Sequence, residues 1–283
     1  MNATPGSLIV LSLAAMLSGT VAVGGEIDPP GAAAAVSEEL PIAAGLSALP
    51  LAEGAWVVTS DAPWPANVLV VRMADGTVVL ADTPPTERWT AALLDWIERR
   101  LEPAGIVAVN SHYHVDAAGG NRVLRERGIP VWGSAVTAEL VRTRGADLLD
   151  ELRRSVAGTA NEGLFDQSVL AEPDRLVPDG ESKTLAFGGQ EVVILDPGPA
   201  HSPDNVVVWF PHARLLFGGC MVKGSDSPGY LGEASLELWP EALDRLRALD
   251  PAWIVPGHGR RFDPGVLDLT EEVVREAAAA GGG

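Results

Sequence analysis

Short runs of apolar, β-branched residues recur along the chain, and their spacing sets the first expectations. Ala55–Thr59, Asn67–Val71 and Thr77–Ala81 are rich in valine and read as strands, with Asp75-Gly76 a strong hairpin signal between the last two. From Thr86 the period changes: Trp89, Leu93, Trp96, Ile97 and Leu101 recur at three- and four-residue intervals, which predicts a helix. A strand over Ile106–Val109 follows. Gly128 and Gly145 read as the stops of two further helices, the second opening near Ser134. The second half repeats the style, with strands around Lys183–Phe187, Glu191–Leu195, Asn205–Phe210 and Arg214–Phe217. A helix from about Pro240 to Leu249, a buried strand at Trp253–Val255 and a helix over Glu271–Ala280 complete it.

Strands that pair locally, with helices dispersed between them in both halves, predict an α/β sandwich: two sheets packed face to face with helices on the outer faces. His112 and His258 each follow a Val/Ile-rich strand in what reads as a polar loop, where a rigid scaffold can present ligands.

Composition narrows the functional classes. The chain has 283 residues, 47% of them hydrophobic, enough for a substantial core, and a net charge of −18. That charge, with no basic run, excludes a nucleic-acid partner, because such binding draws its affinity from clustered Lys and Arg. Ser7–Gly24 is apolar and ends in small residues, so residues 1–24 read as a secretory signal peptide and the chain as periplasmic or secreted, with no membrane span once it is cleaved. The usual basic start is absent, since the first basic residue is Arg72, and an uncleaved anchor or a misplaced start codon are the other readings. A flexible Ala/Pro/Gly-rich lead is expected over residues 25–50 and the folded domain over 51–283. Cys220 is the only cysteine, so no intramolecular disulfide forms, and in an oxidising compartment a lone thiol is a liability unless it is committed, for instance to a metal.

Five histidines occur, two of them in Asn110-Ser111-His112-Tyr113-His114-Val115-Asp116. In an extended loop, alternate residues share a side, so His112, His114 and Asp116 could offer three ligands from one strip of backbone. His201 in Gly198-Pro199-Ala200-His201-Ser202-Pro203-Asp204-Asn205 and His258 in Pro256-Gly257-His258-Gly259 could each be a hydrogen-bonded loop histidine. With Cys220 in Phe217-Gly218-Gly219-Cys220-Met221-Val222-Lys223 they raise the donor count to six, which suits two zinc ions with three protein ligands each and open positions for chemistry. His212 follows Pro211 in an expected turn and reads as a surface residue.

From Trp56 to the C-terminus these motifs resemble the metallo-β-lactamase superfamily, and GPAHSPDNVVVWFP, LLFGGCMVK and VPGHG resemble its class B β-lactamases. The resemblance implies that His112, His114 and His201 bind one zinc and Asp116, Cys220 and His258 the other. It further implies that a shared hydroxide opens the β-lactam ring of antibiotics, that Asp116 orients this nucleophile, and that Asp82 orients the ligands from behind. Lys223, one of only two lysines, would meet the substrate carboxylate. Tyr230 stands where the family often has a carbonyl-binding asparagine, and Trp64 sits in a loop shorter than the family's usual flap; both are expected beside the substrate. The implied partner is a small β-lactam, and a monomer is expected. A hydrolase of another ester, thioester or lactone, and a non-catalytic zinc store, are the rival readings.

Overall fold

The computed structural model describes residues 38–281. Its first sheet has eight strands in chain order: β1 (Leu40–Ala43), β2 (Leu46–Ala52), β3 (Ala55–Ser60), β4 (Ala66–Arg72), β5 (Thr77–Ala81), β6 (Gly105–Val109), β7 (Val131–Ser134) and β8 (Arg175–Val177). The first five form an antiparallel meander and the last four run parallel. Helix α1 (Glu87–Leu101) makes the crossover from β5 to β6. Its start is set by Thr86, whose hydroxyl accepts from the Trp89 N–H. Two short helices, α2 (Val115–Ala118) and α3 (Asn121–Glu126), and the long α4 (Ala135–Val156) complete this half.

The second sheet has the order β13-β12-β11-β10-β9, from β9 (Lys183–Phe187), β10 (Gln190–Leu195), β11 (Val207–Phe210), β12 (Leu215–Gly224) and β13 (Trp253–Gly259). Helix α5 (Trp239–Arg247) links β12 to its parallel neighbour β13, and α6 (Val266–Gly281) follows.

Alternation along each strand divides the burial between layers. In β4, Leu69 and Val71 face the core between the sheets while Val68 and Val70 face α1. In β12, Leu215 and Phe217 join the central core while Leu216, Met221 and Val222 pack against α5 and α6. Strands covered on both faces explain the continuous valine runs. The expected sandwich with outer helices is therefore the observed architecture.

Several boundaries differ from expectation. The signal peptide read at residues 1–24 lies outside the described residues. The lead expected to reach residue 50 is already sheet from Leu40: Leu46 and Ala48 are buried against α1, and the Trp89 indole donates to the Ala44 carbonyl at 2.9 Å. Gly145 stops no helix, because α4 runs through it to Val156. Strands β7 and β8 were not expected at all. Strands β12 and β13 extend well past Phe217 and Val255, so Cys220, Lys223 and His258 stand in strands rather than loops, with Lys223 and His258 paired across the ladder.

Candidate metal centre

The ends of parallel β5, β6 and β7 meet the ends of β12 and β13 at one edge of the sandwich, and the six candidate ligands gather there. Chain direction explains the meeting, since loops leaving parallel strands collect at the same edge. The backbone must come unusually close at this point. Gly219 sits in a register break of β12 with φ 55°, where a Cβ would lie 2.6 Å from the Ser111 hydroxyl. A Cβ on Gly257 would lie 2.7 Å from Cys220 Sγ.

His112, His114 and Asp116 converge by a different route from the expected extended strip. The chain turns into α2 after His114, so Asp116 falls in the first helical turn and its Oδ1 comes within 3.7 Å of His112 Nε2. The three imidazoles of His112, His114 and His201 offer nitrogen atoms all within 4.8 Å of one another, as do the donor atoms of His112, Asp116 and Cys220. His258 completes the second cluster, with its Nε2 3.1 Å from Asp116 Oδ2 and 3.2 Å from Cys220 Sγ. His212 lies apart, exposed in a 3-10 turn over Pro211–Ala213.

Ring orientation is fixed from behind. The Ser111 N–H and hydroxyl donate to the Asp82 carboxylate at 2.6 and 2.7 Å, and the same hydroxyl oxygen lies 3.0 Å from His112 Nδ1. With His112 Nδ1–H donating to it, the Nε2 lone pair faces inward. His258 Nδ1 donates to the Pro65 carbonyl at 2.7 Å, which turns its Nε2 toward Cys220. Asn67 secures the backbone on both sides of His258: its amide donates to the carbonyls of Pro256 at 3.0 Å and Gly259 at 2.7 Å. Sequence reasoning missed this role, although a polar residue opening a valine run was a visible signal.

Electrostatics indicate what these groups can hold. Burial drives His112 down to about 3 and His201 well below the usual histidine range, so both rings are neutral and their lone pairs are free to bind a cation. His112 Nε2 is buried without a hydrogen-bond partner among the described residues. Burial pushes the Cys220 thiol up to about 11 and the Asp82 carboxyl well above the carboxylate range. Asp116 stays ionised, because the hydrogen bond from His258 and the surrounding imidazoles outweigh its burial. Orphaned imidazole nitrogens, a carboxylate and a thiol crowded together are costly unless a cation is shared between them. An N3 set beside an N, O, S set fits zinc in both positions.

Lys223, Tyr230 and Glu233 border the cluster, and Trp64 stands beside a residue that contacts it. Lys223 is only 4% exposed, with its Nζ 5.2 Å from the Trp239 ring centroid; burial lowers its pKa, against the charges of Cys220 and Asp116. The Tyr230 ring is half exposed and meets the His114 ring edge-on at 5.6 Å. Trp64 is 36% exposed, next to the Pro65 carbonyl that holds His258. Glu233 was not singled out from the sequence. Its Oε2 accepts from Tyr113 Oη at 2.7 Å and from His114 Nε2 at 3.1 Å, while its Oε1 pairs with Arg144. Burial alone would raise this carboxyl, but the bonds from His114 and Tyr113 outweigh it and hold it down to about 2.

Comparison with known proteins gives a consistent result. Residues 61–258 match the sequence signature of the metallo-beta-lactamase superfamily. A metallo-beta-lactamase type 2 from Bacillus cereus is 31% identical over 216 residues, covering 75% of this chain and 73% of that protein. Another metallo-beta-lactamase type 2, from Bacteroides fragilis, is 27% identical over 216 residues, covering 75% of this chain and 76% of that protein. The solved structure of a metallo-beta-lactamase from Pontibacter korlensis superposes with a TM-score of 0.68 at 29% identity, covering 81% of this chain and 99% of that one.

Proposed function

The chain belongs to the metallo-beta-lactamase superfamily, and from that premise we propose that it hydrolyses the β-lactam ring of antibiotics and so confers resistance, as an exported, two-zinc enzyme. His112, His114 and His201 would hold one zinc, and Asp116, Cys220 and His258 the other. Zinc in such sites supplies Lewis acidity and lowers the pKa of bound water to about 7. The chain's own residues supply the rest. Asp116, kept ionised, accepts a hydrogen bond from the attacking water and orients it. Tyr230, packed on His114, and Trp64, next to the residue that holds His258, would offer aromatic surface to the apolar parts of a substrate.

Lys223 carries the substrate assignment. Its ammonium is buried beside the Cys220 cluster, and no carboxylate lies within ion-pair distance of it among the described residues. A buried cation without a counter-charge is unfavourable, and β-lactam antibiotics carry a carboxylate next to the lactam nitrogen that would supply one. A charge-assisted hydrogen bond of this kind contributes about 1.5 to 3 kcal/mol, or roughly ten- to hundredfold in binding. Lys223→Ala is therefore expected to raise KM by about that factor with metal content unchanged, while a substrate with the carboxylate esterified loses little further on mutation. Equal losses for acid and ester would show that the lysine supports the fold instead.

The reading as a whole is tested by assaying a penicillin, a cephalosporin and a carbapenem against a lactone and thioester panel, with zinc measured on the same preparation. Turnover of β-lactams is expected. Turnover confined to the lactones or thioesters would place the chain elsewhere in the superfamily, and bound zinc with no turnover of any substrate would make it a zinc store.

A further inference from the structure

Helix α4 contributes no metal ligand, yet one of its side chains reaches the centre through a carboxylate. Arg144 stands on the outer part of α4 with its side chain 52% exposed, and it pairs with Glu233, whose side chain is 7% exposed. The other Glu233 oxygen takes two donors at once, the Tyr113 hydroxyl at 2.7 Å and His114 Nε2 at 3.1 Å. Tyr113 and His114 are adjacent in sequence, so the carboxylate grips the ligand-bearing turn at two consecutive residues.

The geometry has a definite consequence for His114. A carboxylate oxygen accepts, so His114 Nε2 must carry the proton and donate; the remaining nitrogen, Nδ1, faces His201 Nε2 at 3.3 Å, inside the three-histidine cluster. His112 meets that cluster through Nε2, so His114 needs a partner that fixes the opposite tautomer. The same carboxylate oxygen accepts from Tyr113 and His114, so it fixes the orientation of the ring as well as its tautomer. Glu233 also lies three residues after Tyr230, so the segment that presents Tyr230 to the cleft is anchored on the same bond.

We propose that Arg144, Tyr113 and Glu233 form a clamp by which α4 holds His114 for the three-histidine metal, with Glu233 as a positioning residue rather than a catalytic one. This rests on His114 being a metal ligand, as proposed above.

The test titrates cobalt into the metal-free full chain in competition with a chelator. The thiolate-to-cobalt charge-transfer band reports the Cys220 site, and the ligand-field bands that remain report the three-histidine site. Loss of an outer partner of a ligating histidine typically lowers metal affinity by about ten- to a hundredfold, and Glu233→Ala is expected to do so at the three-histidine site alone. Arg144→Ala, a substitution on an exposed helix surface, is expected to shift the same site in the same direction by a smaller factor, and Arg144→Lys to recover part of it. The metal-free Glu233→Ala protein should melt close to the metal-free parent. Affinity unchanged in Glu233→Ala, equal weakening of both sites, or no response to Arg144→Ala would each overturn the clamp. A parent chain that takes up cobalt only at the thiolate site would overturn the assignment of His114 itself, and with it this inference.

Discussion

Exhaustive chelation of the purified chain is expected to remove β-lactam hydrolysis to background, and zinc to restore it. The loss should exceed about a thousandfold, since removing even one preorganised electrophilic donor from an active site commonly costs about a hundred- to a thousandfold. Among the described residues no other nucleophile is poised at this cleft. The Cys220 thiol is pushed up to about 11 by burial and the neighbouring Asp116 charge, and His112 and His201 are neutral rings with no hydroxyl to activate but the Ser111 group already given to Asp82. Restoration should depend on pH in a fixed direction. In the metal-free cluster His258 is held protonated by Cys220 and Asp116 against the cost of burial, and Cys220 keeps its proton. Both protons must leave when a metal enters, so affinity at that site rises with pH, and apparent binding should be tighter at about pH 8 than at about pH 6. Full activity after chelation, or affinity that falls as pH rises, would contradict the assignment.

The six side chains that gather at the centre were legible because their signal is one of residue type in a chain with five histidines and one cysteine. Its geometry was not. Alternate spacing suggested an extended strip, whereas the chain folds into α2 after His114, and only the tertiary turn brings Asp116 back toward His112. Strand ends were misjudged for a related reason. Gly218-Gly219 looks like a loop, but the ladder absorbs it as a bulge and β12 continues to Gly224. Gly145 carried a stop signal, yet α4 continues through it to Val156, and β2 was obscured by an Ala/Pro/Gly-rich approach although Leu46 and Ala48 alternate inward. Glu233 could not be found at all: it is one of 38 acidic residues, and its partners at 113, 114 and 144 are defined only by the fold.

The cluster is held from both sheets. One face of it belongs to the first sheet through Asp82, Ser111 and His112, and the other to the second sheet through Cys220 and His258. Asn67 and the Pro65 carbonyl, both near the start of β4, tie the two together at His258. The position of His258 is thus set by contacts that cross the sandwich, and the packed core between the sheets keeps those contacts in register.

Replacing Cys220 with serine is expected to empty the second cluster and leave the first. Sγ lies 3.2 Å from His258 Nε2 and 3.4 Å from Asp116 Oδ2, in a strand whose backbone is held close by Gly219 and Gly257, so a serine oxygen would occupy nearly the same place without disturbing the fold. Its chemistry differs in the decisive respect. A thiolate forms readily on a metal, whereas a serine hydroxyl stays protonated near neutral pH and is a much poorer ligand. Metal content should therefore fall from about two per chain to about one, with the three-histidine group retaining its ion. Hydrolysis should drop by about a hundredfold or more, because Asp116 and His258 alone would no longer hold the metal that would supply Lewis acidity on that side of the centre. Thermal unfolding of the metal-free variant should stay near that of the metal-free parent, which separates ligand loss from misfolding. A variant that keeps two metals and the parental rate would show that Cys220 is a buried thiol with no part in the centre, and the two-metal assignment would then lose the residue on which its second site depends.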